Sequence, residues 1–166
     1  CKGYSLKNYS FLYGQTYLLN KNLYHSFEFQ FDRKIHSCLT RTNYVGFGAS
    51  FSFGNNQQSF SFKGMINPTK FSLLISRKSI LHPYLLVQAN LVRENNSFAN
   101  YKNNVSPGIG INLAWRIKNR IYIRPQFQVR YNVNEEYLKN KDGLRIDLRI
   151  GIGISSFRSK KNRYKK

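Results

Sequence analysis

The residues able to do acid–base, nucleophilic or metal chemistry are few and scattered. The chain has three histidines, His25, His36 and His82, two cysteines, Cys1 and Cys38, and seven carboxylates in 166 residues. A metal site needs several such ligands brought together at characteristic spacings. These histidines lie far apart and the cysteines have no CxxC spacing, so no metal and no other cofactor is expected. His36-Ser37-Cys38 sets a base beside two nucleophiles. Neighbours on an extended chain point to opposite faces, however, and no GxSxG elbow is present, so the tripeptide reads as loop. Gly108-x-Gly110 and Gly151-x-Gly153 have strand spacing rather than the context of a phosphate loop, and read as spacers opposite bulky neighbours. No catalytic residue is assigned, and the chain reads as non-enzymatic.

What the chain has in quantity is positive charge. Lys and Arg total 27 against 7 Asp and Glu, a net charge of +20, although an AT-rich coding sequence inflates Lys and Asn independently of function. Such a cation has three classes of anionic partner: nucleic acid, the phosphates of membrane lipids or lipopolysaccharide, and acidic polymers. Arg124, Arg130, Arg145 and Arg149 recur on the polar side of two alternating segments, together with Asp147. They form either an ion-paired barrel interior or an anion-binding lumen. The first is favoured, because a barrel of about eight strands is filled by its own side chains. Tyr and Phe interleaved with Lys and Arg is also how single-stranded nucleic acid is gripped on a sheet. Most Phe residues align instead with aliphatics on the apolar face, so a soluble β-barrel binding nucleic acid or another polyanion stands second. A lipid-modifying barrel enzyme stands third, with His82 beside Tyr84 and Gln88 on a polar face as its only foothold.

The elements that position these residues are strands. Period-two alternation recurs through most of the chain, and amphipathic helical stripes are missing. From Leu144 to Phe157, Leu144, Ile146, Leu148, Ile150, Ile152 and Ile154 share one face, opposite Arg145, Asp147, Arg149, Gly151, Gly153 and Ser155. Ile121 to Tyr131 and Ile109 to Ile117 behave alike, giving a C-terminal meander with a tight turn at Lys118-Asn119. Upstream strands are expected near residues 44–53, 81–91 and 27–32, with shorter stretches at 59–62 and 71–75 and an ambiguous one at 9–19. The total is eight or nine, and merging the two short stretches makes it even. Connections alternate in length, short at 20–22, 55–58, 77–79 and 118–120, long at 33–43, 95–107 and 134–143, as though short turns shared one rim and long loops the other.

No apolar run approaches the roughly 18 to 20 residues of a membrane-spanning helix. Several alternating runs do reach the about nine to eleven residues with which a strand crosses a bilayer. Their polar faces mix Gly and Ser with charges of both signs, which suits a narrow interior. Trp115, Tyr131, Tyr84 and Phe157 fall towards strand ends, where aromatic girdles sit. The expected fold is therefore an all-β, antiparallel, up-and-down transmembrane β-barrel of about eight strands in a bacterial outer membrane.

Pro83-Tyr84-Leu85-Leu86, Pro107-Gly108-Ile109-Gly110-Ile111, Ile123-Arg124-Pro125-Gln126-Phe127 and Ile150-Gly151-Ile152-Gly153-Ile154 together resemble the small outer-membrane β-barrel proteins of Bacteroidota, the porin-family or PorT-like group. The resemblance covers about residues 79–157. It implies a barrel with both termini towards the periplasm, sometimes attached to secretion or gliding machinery. The chain departs from that family in its basic tail after Phe157 and in Cys1, the residue type at which lipoprotein signal peptidase leaves a new N-terminus. The expected organisation is an N-terminal segment 1–8 with a lipid attachment at Cys1, a barrel 9–157 and a basic tail 158–166. The expected role is a structural or accessory subunit of a membrane-protein complex, contacting outer-membrane lipids or lipopolysaccharide phosphates and a membrane-protein partner, with no nucleic acid.

Overall fold

A computed structural model describes residues 6–18, 23–35, 43–54, 57–68, 72–76, 79–94, 101–118, 120–133 and 143–157. Cys1, the His36-Ser37-Cys38 tripeptide and the basic tail lie outside them. The described residues form ten strands: β1 (Leu6–Leu18), β2 (Leu23–Ile35), β3 (Asn43–Gly54), β4 (Gln57–Pro68), β5 (Leu73–Ser76), β6 (Ser79–Glu94), β7 (Tyr101–Arg116), β8 (Ile121–Ile123), β9 (Gln126–Tyr131) and β10 (Leu144–Phe157). All pairings are antiparallel, and β1 closes onto β10 from Leu6 opposite Phe157 to Leu18 opposite Arg145.

The ten segments make an eight-stranded barrel. β8 and β9 are one strand of the wall, interrupted at Arg124-Pro125 because proline has no N–H to give the ladder. The register runs on across the gap: Arg124 exchanges backbone hydrogen bonds with Gly151, and Leu113 donates to the Pro125 carbonyl at 3.0 Å. β4 and β5 both pair with β6, β4 up to Ile66 opposite Leu85 and β5 from Leu73 opposite Leu81. The register of pairing with β6 shifts between these two stretches, which makes one wall strand look like two. The even count follows.

Alternation is obeyed around the wall, with the polar side inward. Phe11, Phe29, Phe47, Phe62, Leu85, Ile109 and Ile152 are exposed on the outside, Ile152 at 63 %. Glu28, Gln30, Gln88, Gln128 and Asp147 are buried inside. A water-soluble barrel would have the opposite arrangement, so the soluble polyanion-binding alternative does not fit. The outer wall is also chemically uneven. On β1 to β4 it is mostly aromatic, with Tyr9 and Phe31 ring centroids 5.1 Å apart and Tyr13 and Phe27 5.2 Å apart, whereas β6 to β10 present mainly Leu, Ile and Val.

Four expectations need correction. Strict alternation of short and long connections fails. Eight antiparallel strands put both barrel ends, Leu6 and Phe157, on one rim with connections 36–42, 77–78 and 117–120. The other rim carries 19–22, 55–56, 95–100 and 132–143, so each rim mixes short and long. We call these the terminal rim and the far rim. The 95–107 loop is shorter than expected, since β7 begins at Tyr101; Asn104 and Ser106 read as loop but are buried lumen residues bonded to Asn90, at 2.6 and 3.1 Å. The barrel starts at Leu6 rather than Tyr9. Tyr84 belongs to no interfacial girdle: it points inward opposite Gly110, whose missing side chain leaves space for the ring. Trp115 and Tyr131 do face outward.

The strand phase makes a direct prediction. Ile152→Arg, on the outer wall opposite Phe11 near the middle of β1, should lower folding free energy into bilayers by about 2–4 kcal/mol, with Phe127→Arg and Leu148→Arg in the same direction and smaller nearer an interface. Equilibrium urea titrations in lipid vesicles measure this. Wild-type stability for Ile152→Arg would contradict a lipid-facing outer wall.

Candidate functional site

The lumen is the place where the chain concentrates its chemistry. β2 contributes Glu28 and Asp32, on the inward side of a strand whose other side is Phe27, Phe29 and Phe31. β4 contributes Lys63, β10 contributes Asp147 and Arg149, β9 contributes Arg130, and Arg124 sits at the β8–β9 junction. Glycines opposite these side chains give the room they need. Arg149 lies across from Gly14 and Arg130 across from Gly108, and a Cβ at either glycine would collide with the arginine. Gly153 does the same for the Tyr122 ring.

Three carboxylates organise the interior. Glu28 is ion-paired with Lys63 at 2.5 Å and also with Arg149, so one carboxylate ties β2 to β4 and β10. Asp147 is fully buried and holds Arg130 bidentately, through Nε at 2.6 Å and a terminal nitrogen at 2.8 Å. The same carboxylate accepts hydrogen bonds from Thr16 and, at 2.5 Å, from Gln128. Gln128 in turn accepts from Tyr84 at 3.1 Å and Lys63 at 3.3 Å, which joins the Asp147 cluster to the Glu28 cluster. Asp32 is ion-paired with Arg124, and Arg124 also donates to Ser10 at 3.1 Å. The strongly buried cations Lys63, Arg124, Arg130 and Arg149 thus face the carboxylates Glu28, Asp32 and Asp147. Charge is nearly balanced, as it must be where each unpaired buried ion costs several kcal/mol.

All five residues singled out by sequence, Arg124, Arg130, Arg145, Asp147 and Arg149, point into the barrel, but they do not form one cluster. Arg130, Asp147 and Arg149 meet in the middle. Arg124 belongs with Asp32 towards the terminal rim. Arg145 lies towards the far rim, where the Asn132 amide, turned so that its oxygen faces the guanidinium, accepts from it at 2.8 and 2.9 Å. Glu28, Asp32 and Lys63 were not singled out. The alternation of β2 already put both acids on a polar face, whereas Lys63 is followed by Gly64 and Met65, with glycine outward and methionine inward, which hides the strand.

The interior is unequal at its two ends. On the far-rim side of the ion pairs the described residues enclose a pocket of about 20 Å³ beside Arg145, which holds a single water. At the terminal rim lies a cavity of about 200 Å³, floored by Arg124, Tyr84 and Tyr122 and reached past Arg116 and Arg120. His82 lines it. Its Nδ1 is hydrogen-bonded to the Ser72 hydroxyl at 2.8 Å, and its ring is 5.6 Å from that of Tyr44. Among the described residues no group of His, Cys, Asp and Glu could hold a metal ion.

Neither a family model nor a curated protein sequence matches the chain. Solved structures do. Neisserial surface protein A superposes with a TM-score of 0.58 at 7 % identity, over 92 % of this chain and 99 % of that one. A major outer membrane protein of Thermus thermophilus gives 0.59 at 11 % identity, over 90 % and 99 %. The outer membrane enzyme PagL gives 0.58 at 11 % identity, over 89 % and 98 %. The fold is that of a small outer-membrane β-barrel. At such identities the likeness concerns the backbone architecture, and the lumen described above is this barrel's own.

Removing one side of a buried pair leaves the other uncompensated. Asp147→Ala, which orphans Arg130, should destabilise the folded barrel by about 3–5 kcal/mol, and Asp147→Ala/Arg130→Met should recover a substantial part of that loss. Urea unfolding in micelles monitored by tryptophan emission and gel mobility is the measurement. An Asp147→Ala barrel as stable as wild type would show that the carboxylate does not hold the lumen together.

Proposed function

We propose that this barrel is a sealed, non-enzymatic structural or accessory subunit of an outer-membrane protein complex, with its terminal rim towards the periplasm and its basic rims contacting lipid phosphates or a protein partner. The observation that carries the reading is the cross-linked lumen. Glu28 bridging Lys63 and Arg149, and Gln128 bridging Tyr84, Lys63 and Asp147, fill the cross-section from β1 to β10 with ion pairs and hydrogen bonds between strands. A solute path would have to break buried ion pairs. The placement of charge supports rim contacts as well. The acids Glu28, Asp32 and Asp147 and the cations Lys63, Arg124, Arg130 and Arg149 nearly cancel inside, so almost all of the net charge of +20 is carried by the rest of the chain.

A second reading rests on Ser72 and His82. A hydroxyl 2.8 Å from an imidazole nitrogen has nucleophile–base geometry, which would suit ester cleavage. The same pair also satisfies two polar groups near a strand end, and that structural role is the one consistent with a sealed accessory barrel.

Planar-bilayer recording tests the seal: purified barrel should give no stepwise conductance, and regular large steps would overturn it. Migration of the protein solubilised from native membranes tests the accessory role, since a subunit should run well above its own 19.5 kDa on native gels and a lone barrel should not. A fluorophosphonate probe should leave the protein unlabelled; labelling that is lost in Ser72→Ala would establish the esterase reading instead.

A further inference from the structure

The terminal-rim cavity contains charge that the interior network does not use. Arg124, at its floor, is matched by Asp32. Arg116 at the end of β7 and Arg120 just before β8 stand on opposite sides of the 117–120 turn, in phase with the lumen-facing residues Asn112 and Tyr122. Both line the cavity, and neither is ion-paired among the described residues. The cavity therefore holds three arginines against one carboxylate. Asn112, buried at 4 % exposure, also lines it, and its amide has no hydrogen-bond partner among the described residues. A buried amide without a protein partner, lining the same cavity as two arginines that have no ion pair, is a group that a bound ligand would satisfy.

The walls narrow the choice of ligand. Tyr44, Met65, Ile80 and Tyr122 make part of the lining apolar, while the cationic groups sit at the mouth and floor. A volume of about 200 Å³ lies below the ~300 Å³ at which pockets for drug-sized molecules begin. That excludes a sugar chain or a folded peptide and leaves a compact anion. Guanidinium forks match the two oxygens of a carboxylate or phosphate, and Arg116 and Arg120, exposed at the mouth, are accessible to one.

We propose that the terminal-rim cavity is a binding site for a small oxyanion of the phosphate or carboxylate class, held by Arg116 and Arg120 at the mouth with Asn112 and Arg124 beneath. Asp32 sets a limit: it neutralises Arg124, so the ligand is drawn by the two outer arginines and stays above the ion pair rather than passing through it. The site does not depend on the sealed-lumen reading, because it needs only the mouth.

The probe is inorganic phosphate, titrated by phosphorus NMR against the full chain in nanodiscs of zwitterionic phosphatidylcholine. Saturable binding is expected, weakened about tenfold or more in Arg116→Gln/Arg120→Gln. The control is Lys7→Gln/Arg33→Gln, which removes two charges from the outer wall at the same rim and should bind as wild type. Retained heat-modifiable gel mobility shows that each variant is folded. A phosphate group can also come from a lipid headgroup. In that case free phosphate is excluded, an anionic phospholipid stays on the wild-type protein through purification, and it is missing from Arg116→Gln/Arg120→Gln by native mass spectrometry, which supports the same site with a lipid source. Absence of both saturable phosphate and retained lipid, or equal weakening in Lys7→Gln/Arg33→Gln, overturns the proposal.

Discussion

A backbone amide or carbonyl left without a partner in hydrocarbon costs several kcal/mol, so a sheet that crosses a bilayer cannot keep an edge. The pairing of β1 with β10, continuous from Leu6–Phe157 to Leu18–Arg145, is how this chain meets that constraint. Most of its other features follow from closure. Once the sheet closes on itself, alternation assigns every side chain to lipid or to a narrow lumen. With eight strands the lumen is only wide enough for side chains. Even the interruption of the wall at Arg124-Pro125 is bridged by backbone hydrogen bonds to both neighbouring strands.

The lumen could have been filled with apolar residues, as soluble cores are, but the outer wall has already taken them. What remains is polar, and burying polar groups is tolerable only when they satisfy one another. The interior is accordingly built around Glu28, Asp32 and Asp147, each of which holds at least one cation, and Asp147 is approached by β1 and β9 at once. Glycines at 14, 108, 110 and 153 are the steric counterpart: each is paired on the neighbouring strand with a long inward side chain that occupies the space a Cβ would take.

Proteins sharing this architecture include an enzyme, PagL, and Neisserial surface protein A, so the closed wall does not decide activity. The distinguishing features are the interior and its ends. Among the described residues the two ends differ, with a pocket of about 20 Å³ beside Arg145 at one and a cavity of about 200 Å³ beneath Arg116 and Arg120 at the other. The larger space lies at the rim that carries both barrel ends.

Strand phase is a local property, and the sequence by itself determined it. Leu144 to Phe157 alternates so cleanly that its inward and outward faces could be named before any partner strand was known, and the inward direction of Arg124, Arg130, Arg145, Asp147 and Arg149 follows from the same arithmetic. Where alternation breaks, legibility breaks with it. Leu12 inside and Gln15 outside blur β1, Met65 inside and Gly64 outside hide half of β4, and Asn104 and Ser106 disguise the start of β7 as loop. Which charges meet was decided only by the tertiary structure. Glu28 and Arg149, or Asp32 and Arg124, are brought together by barrel closure and by the stagger of strands remote in sequence, and alternation carries no information about either. The rim assignment of each connection and the cavity beneath Arg116 and Arg120 are likewise properties of the closed wall, because they depend on counting β4–β5 and β8–β9 as single strands, which backbone pairing alone establishes.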